Sequence, residues 1–236
     1  MSHPDPNGSA ATRPWRVGDE LWNPVTRERA VLLETPLDNA VGRARAEMTA
    51  LVGARVLGEH LHPGLIERFT VLEGQLTVRR DGKTGKLRVG ETAEVRAGQW
   101  HDWWNAEDHD ARVIVEVEPG ERFAHMLETL FGLAEMGHVD EKGMPNLLQM
   151  ALIGREFSDT VQFRSPPPAV QRVLFAAIAP LAHALGYRAT YPQLSRSLLG
   201  PGEPESMPAA ANPQQRPEDE PQAQPEDEPQ AVLPRP

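Results

Sequence analysis

Residues 53–74 read GARVLGEHLHPGLIERFTVLEG, and residues 90–105 read GETAEVRAGQWHDWWN. The side chains in these two segments that commonly bind metals are His60, His62, Glu67 and His101. Residues two positions apart on a strand point to the same side, so His60 and His62 project together. Three imidazoles and one carboxylate are a ligand set typical of divalent first-row metals. The two segments therefore predict a metal site if the fold brings them together.

Short runs of alternating apolar and polar residues surround both segments. We predict strands at residues 29–35, 44–52, 68–72, 76–79, 86–89, 92–95 and 111–117. Glu73-Gly74-Gln75 and residues 81–85 are typical of tight hairpin turns. Many short strands at regular spacing favour an antiparallel sandwich or barrel of about 100 residues. A closed barrel would place the candidate ligands on neighbouring strands.

The pair of segments resembles the two motifs of the cupin superfamily, G-x5-H-x-H-x3/4-E-x6-G and G-x5-P-x-G-x2-H-x3-N. The first segment has one extra residue between Gly53 and His60, and the second has Arg96 where the motif has proline. The Arg96 difference affects a turn and not a ligand. The resemblance covers roughly residues 40–118 and implies a mainly β fold, a double-stranded β-helix or jelly-roll barrel. Because the chain has one pair of motifs, we expect a single barrel.

The resemblance also implies roles for individual residues. The metal ligands would be His60, His62, Glu67 and His101, and the turn formers would be Gly74, Gly98 and Asn105. Trp103 shares the phase of His101 and is a candidate for the pocket wall, as are Phe69 and Met48. Ordinary core packing is the alternative for Phe69 and Met48. No second general acid or base is evident among the residues that we expect to face inward.

Three neutral imidazoles and one carboxylate would leave a divalent centre with about one residual positive charge and, in octahedral geometry, two positions for other ligands. Iron, manganese, nickel, copper and zinc all fit this donor set. The resemblance implies action on a small oxygenated organic molecule, with dioxygenase-type chemistry as the first hypothesis. The alternatives are a metal-dependent isomerase, cyclase or lyase, and a non-catalytic module that binds a small molecule.

The hydrophobic period changes after the predicted barrel. Apolar residues at helical spacing predict helices at 121–136, 145–157 and 169–186. We therefore divide the chain into a leader (1–14), a barrel (15–118), a helical extension (119–199) and a tail (200–236). The extension resembles those of many single-barrel cupins, which cover the barrel or build a dimer, so we expect a homodimer.

The predicted helix at 169–186 is apolar on most of its sides and contains Pro180. An apolar helix of this kind must be covered. Burial against the barrel or a partner subunit is the first interpretation. Shallow contact with a membrane surface is the second.

Composition limits the other partners and the compartment. The tail repeats a PEDEPQA motif and contains eight acids and two arginines, so most of the formal net charge of −10 lies there. Its low apolar content predicts disorder. The remaining charge is ordinary and points to no nucleic-acid partner. The chain has no cysteine, no signal-peptide pattern and no long apolar run, which together favour the cytoplasm.

Overall fold

The structure is a computed structural model that describes residues 15–191. In chain order the strands are β1 (Glu20–Asn23), β2 (Glu28–Glu34), β3 (Ala44–Ala50), β4 (His60–Leu61), β5 (Ile66–Glu73), β6 (Gln75–Arg80), β7 (Lys83–Arg88), β8 (Thr92–Val95), β9 (His101–Trp104), β10 (Ala111–Glu118) and β11 (Gln162–Phe163). The helices are α1 (Glu121–Glu135), α2 (Leu147–Glu156) and α3 (Pro168–Ala184). The expected leader and disordered tail lie outside the described residues.

The strands form two antiparallel sheets, which confirms the mainly β jelly-roll prediction. One sheet has the order β1-β2-β3-β10-β5-β8, and the other has the order β11-β4-β9-β6-β7. Alternate residues of each strand point into the barrel. Met48, Phe69, Val71, Val113 and Trp103 belong to the resulting apolar core. The barrel interior is thus closed by residues from both sheets.

All seven predicted strands are present, with ends that differ from the predicted ones by at most three residues. The hairpin predicted at residues 81–85 is present, but its turn is shorter than that segment, because β7 already begins at Lys83. Asp81 and Gly82 both have positive φ angles, of 47° and 77°. Two residues with positive φ fit a tight two-residue hairpin turn, which leaves residues 83–85 free to pair with β6.

Four strands were not predicted, and two of them contain candidate ligands. β4 has only two residues, and the four residues of β9, HDWW, do not alternate between polar and apolar side chains. Pairing defines them instead, since His60 of β4 lies opposite His101 of β9. β1 and β11 are also short and pair with β2 and β4.

Gly74 joins β5 to β6 at a point where the backbone passes close to another segment. Its φ is +72°, and an added Cβ would lie 2.7 Å from the carbonyl oxygen of Asp110. We expect Gly74→Ala to lower the free energy of unfolding by about 2–4 kcal/mol, through left-handed strain and overpacking together. Gly82→Ala is the matched control, because its φ is +77° but nothing lies within 4 Å. The free energy of unfolding of that control should fall by only about 1 kcal/mol. Equal losses in urea denaturation would contradict the packing argument.

All three helices begin and end within two residues of their predicted positions, and the sequence explains one end each of α1 and α2. α1 ends one residue before Met136, and the following Gly137 has a φ of +71°, a conformation that terminates helices. α2 begins after Asn146, whose side-chain oxygen accepts a hydrogen bond from the backbone N–H of Gln149. The two helices follow the barrel and pack beside it.

α3 is only partly covered. Phe175, Ala179 and Ala182 are buried on the side that packs against α2. Four apolar residues elsewhere on or just after the helix are more than half exposed, namely Val170, Val173, Leu181 and Leu185. The homodimer and the membrane-surface contact both stay predictions for this surface. None of the helices between residues 15 and 191 has the length and apolarity needed to cross a bilayer.

Candidate metal centre

The structure brings the four candidate ligands together inside the barrel. His60 lies on β4, His62 follows it, Glu67 lies on β5 and His101 begins β9. One potential ligand atom from each of these residues lies within 4.8 Å of those of the other three. All four side chains are buried. The two sequence segments therefore converge on one point, although neither contains all of the ligands.

The backbone orients each imidazole in the same way. The Nδ1 atom of every histidine faces a carbonyl oxygen, namely Gly58 for His60 (2.8 Å), Thr160 for His62 (2.7 Å) and Gln99 for His101 (3.3 Å). A carbonyl oxygen accepts a hydrogen bond from an Nδ1–H group, so Nε2 is the atom that each ring can offer to a cation. Metal-binding histidines are commonly fixed by a carbonyl or carboxylate partner in this manner. The three Nε2 atoms are thus presented as ligands.

Glu67 carries the negative charge of the cluster. Burial opposes its ionisation, but Nε2 of His101 lies 3.0 Å and Nε2 of His62 lies 3.4 Å from its carboxylate oxygen. These contacts outweigh burial and hold the pKa of Glu67 well below its usual range. Burial lowers the pKa of His101, but the Glu67 carboxylate outweighs it and raises that pKa overall. The carboxylate is therefore ionised and available as a ligand.

His60 differs electrostatically from His101. Burial, followed by the neighbouring His101 and His62, lowers its pKa well below the usual value. His60 is consequently a neutral imidazole at neutral pH, which is the form that binds metals.

The donor set fits a divalent transition metal. Nε2 of His62 is buried and has no hydrogen-bond partner among the described residues. A buried nitrogen acceptor without a donor is costly, and a cation would satisfy it. His60, His62, Glu67 and His101 would hold such an ion through three nitrogens and one oxygen. Binding by these residues stays a prediction of this work.

A cavity of about 130 Å³ opens beside the cluster. His60, His62 and Glu67 form part of its wall, whereas His101 does not line it. The rest of the wall is mostly apolar, and it includes the three predicted pocket residues Met48, Phe69 and Trp103. A dry cavity of about 150 Å³ holds a benzene-sized molecule. The space therefore suits a small ligand with an apolar skeleton.

The helical extension completes the site, which the sequence did not predict. The ring of Phe123 at the start of α1 lies 5.5 Å from that of His62. Gln162 and Phe163 of β11 pair with Leu61 and His60 of β4. Together with the Thr160 carbonyl, these contacts position two of the four candidate ligands, His60 and His62, from the helical extension.

Phe163 provides a test of that support. Its ring lies 6.1 Å from the ring of His60, and it forms part of the cavity wall. We expect Phe163→Ala to weaken metal binding by about tenfold, because groups that position ligands typically contribute 10–100-fold to metal affinity. Val173→Ala, on the exposed side of α3, is the control. Chelator competition measures both, and equal affinities would show that the Phe163 side chain does not support the site.

The structure also reveals a second carboxyl group in the cavity. Glu28 begins β2 and lies in the cavity wall with Ala30 and Leu32. Burial raises its pKa to about 8; Thr26 partly offsets this shift, and Glu67 adds to it. The expectation that no second acid or base faces inward was therefore wrong. The alternating pattern of Glu28, Ala30 and Leu32 was the available signal, but the predicted strand began one residue too late.

The second sequence segment also supplies structural contacts. The N–H of Gly98 donates to the carbonyl oxygen of His62 over 2.8 Å, so the two segments are joined beside the cluster. The side-chain amide of Asn105 donates to the carbonyls of Ala50 and His109 and fixes the turn after β9. Arg96 is exposed and does not disturb the ligands.

The chain is similar to known proteins over its β-rich part. Residues 46–124 match the family described as the cupin domain. The protein TcmJ of Streptomyces glaucescens, described as a tetracenomycin polyketide synthase protein, is 33% identical over 88 residues. That match covers 37% of this chain and 52% of the relative, so the chain spans about half of the relative's length.

Solved structures are also similar to part of the chain. A predicted oxalate decarboxylase from Thermotoga maritima is 19% identical with a TM-score of 0.40, over 45% of this chain and 96% of that chain. KdgF from a Halomonas species is 18% identical with a TM-score of 0.34, over 39% of this chain and 78% of that chain.

Proposed function

We propose that this protein, which matches the cupin domain family over residues 46–124, is a metal-dependent enzyme acting on a small oxygenated organic molecule. The observation that carries the proposal is the position of the cluster. His60, His62, Glu67 and His101 place one potential ligand atom each within 4.8 Å of one another. Three of the four form one part of the wall of a mostly apolar cavity.

The cavity defines what its occupant would look like. Side chains such as Phe69, Met48 and Trp103 exclude water and favour an apolar skeleton. Within the described part of the chain, the strongly polar side chains in the cavity wall are those of the metal-binding cluster and of Asp19, Glu28 and Arg45. A substrate oxygen is therefore the group that would be directed to the cluster.

Dioxygenase-type chemistry is the first candidate. Four protein ligands leave two positions of a six-coordinate cation for a substrate oxygen and a second small ligand. A bound metal would supply Lewis-acid activation of the substrate oxygen and, with iron, manganese, nickel or copper, activation of dioxygen. The chain's own contribution is to orient the imidazoles through backbone carbonyls and to exclude water from the cavity.

Non-oxidative chemistry, as in an isomerase, cyclase or lyase, is the second candidate. Two observations favour it. The Streptomyces relative is described as a polyketide synthase protein, and polyketides carry several carbonyl or hydroxyl oxygens on an apolar skeleton. In addition, Glu28 places a carboxyl with a raised pKa in the cavity. Reactions that pass through an enolate need such a group to hold or deliver a proton.

Oxygen dependence separates the candidates. The full chain, loaded in turn with Fe²⁺, Mn²⁺, Ni²⁺, Cu²⁺ and Zn²⁺, would be mixed with a panel of single-ring catechols and 1,3-diketones. Dioxygenase chemistry predicts oxygen uptake in step with product formation. Turnover in strictly anaerobic buffer would instead establish the second candidate. Thermal stabilisation by a panel compound without turnover would indicate a binding module, and the loss of all effects in His62→Ala is the expected control.

A further inference from the structure

Glu28 has a position that ordinary core packing does not explain. It is the first residue of β2 and pairs with Asn23 on β1 and with Ala50 on β3. The alternation of β2 directs Glu28, Ala30 and Leu32 to the interior, where all three line the cavity. Only 8% of Glu28 is exposed. The fold thus places a carboxyl group among apolar side chains beside the metal-binding cluster.

Among residues 15–191, no cationic side chain forms an ion pair with Glu28. The other ionisable side chains that line the cavity are Asp19, Arg45, His60, His62 and Glu67. Arg45 is directed elsewhere, since its Nε lies 3.7 Å from a carboxylate oxygen of Glu116. His62 contacts the Glu67 carboxylate. Burial of a carboxylate without a partner is expensive, and the group avoids that cost by remaining protonated.

A protonated carboxyl in an apolar cavity is a hydrogen-bond donor. Its O–H can donate to a carbonyl, phenol or enolate oxygen, whereas an ionised carboxylate only accepts hydrogen bonds. In the metal-free protein, burial and the nearby Glu67 raise the pKa of Glu28 to about 8, despite the opposing contact with Thr26. Neutral carboxylic acids in apolar sites are a known means of donating a hydrogen bond to a substrate oxygen at neutral pH.

We propose that Glu28 is the second polar anchor of the cavity and donates a hydrogen bond to one oxygen of a ligand whose other oxygen is bound at the His60–His62–Glu67–His101 centre. This inference rests on the proposed function, because it needs a ligand at that centre. It narrows the substrate class to small molecules that carry two oxygen functions on an apolar skeleton. A cavity of about 130 Å³ limits the enclosed skeleton to roughly the size of one ring.

Paired synthetic probes test the inference. Linear keto-hydroxamates of five to eight carbons carry a metal-binding hydroxamate at one end and a ketone at increasing distance from it. Each has a matched alkyl hydroxamate in which a methyl branch replaces the ketone oxygen. Calorimetric affinities are measured for the Zn²⁺-loaded full chain, for Glu28→Gln and for Glu28→Leu, at about pH 6.5 and about pH 9.5. The two affinities within each pair are compared as a ratio, because ionisation of the hydroxamate affects both probes equally and cancels.

At the lower pH we expect the wild type to prefer one ketone probe over its branched partner by about tenfold, the effect of one hydrogen bond in an apolar site. Glu28→Gln keeps a donor and should keep that preference at both pH values. Glu28→Leu should lose it at both. The wild type should lose it at the higher pH, where Glu28 is ionised. If Glu28 had a purely structural role, the ratio of ketone to branched probe affinity would be the same in the wild type and in both variants.

Two results would overturn the inference. One is the absence of a ketone preference in the wild type for any chain length, and the other is the same preference in Glu28→Leu. The proposed function fails in a different way, since then the branched hydroxamates would bind the metal-free or His62→Ala protein as tightly as the Zn²⁺-loaded chain. The branched probes therefore report on the centre and the ratios report on Glu28.

Discussion

Replacement of His62 by alanine is expected to lower the amount of bound metal by on the order of tenfold or more, since loss of a ligand should exceed the 10–100-fold effect of outer groups on affinity. His62 is 1% exposed, its Nδ1 is fixed by the Thr160 carbonyl, and its Nε2 has no described hydrogen-bond partner. The substitution removes that nitrogen and also leaves Glu67 with one fewer contact.

Elemental analysis of purified protein measures this effect directly. His109→Ala is the matched control, because the His109 side chain is 59% exposed and contacts only the neighbouring Asp108 carboxylate. Thermal unfolding of both variants separates loss of metal from loss of fold. Wild-type metal content in a folded His62→Ala protein would remove His62 from the ligand set.

The second large effect concerns stability and pH, with Glu28→Gln compared with the wild type in metal-free protein. Folding raises the pKa of Glu28 from its usual 4.5 to about 8. Between these values the folded wild type binds more protons than the unfolded chain, so its stability falls as pH rises. Glutamine does not titrate. As the pH rises through this window, the variant should therefore become more stable relative to the wild type by about 1.4 kcal/mol per pH unit. The total gain should be about 3–5 kcal/mol.

Urea denaturation at several pH values in the presence of a chelator measures that difference. The two proteins should differ least below pH 4.5, and the difference should level off above about pH 8. Glu141→Gln, at an exposed turn, provides the control for general effects of charge. A difference between Glu28→Gln and the wild type that stays constant from pH 5 to 9 would show that Glu28 is ionised throughout.

The sequence predicted the barrel because most of its strands are long enough to show alternation. Residues 44–50 and 111–118 alternate over seven or eight positions and pair directly in the structure. β4 and β9 could not be found in this way, although they carry His60 and His101. Their conformation depends on pairing with each other and, for β4, with β11, a contact between residues about 100 positions apart.

The same limit applies to the candidate site. The spacing of the two segments indicated which side chains meet, and the structure brings those four together. The role of the Thr160 carbonyl could not be predicted, because every residue has a carbonyl group and only the tertiary fold selects one. Glu28 was missed for a different reason. It lies at the end of its strand, where alternation is least informative and boundaries are least certain.

These observations connect the extension to the chemistry. α1, β11 and the segment between α2 and β11 supply Phe123, Phe163 and the Thr160 carbonyl to the site. A barrel without them would lose the partner that fixes His62 and part of the cavity wall. The extension is therefore part of the functional unit that we propose, and not only a cover for the barrel.

The most direct test of the central claim is anomalous X-ray diffraction from crystals of the protein purified without added metal. We expect one anomalous peak per chain, about 2.0–2.3 Å from Nε2 of His60, His62 and His101 and from a carboxylate oxygen of Glu67. An empty site after soaking with each of the candidate metals, or a peak bound by other residues, would contradict the account.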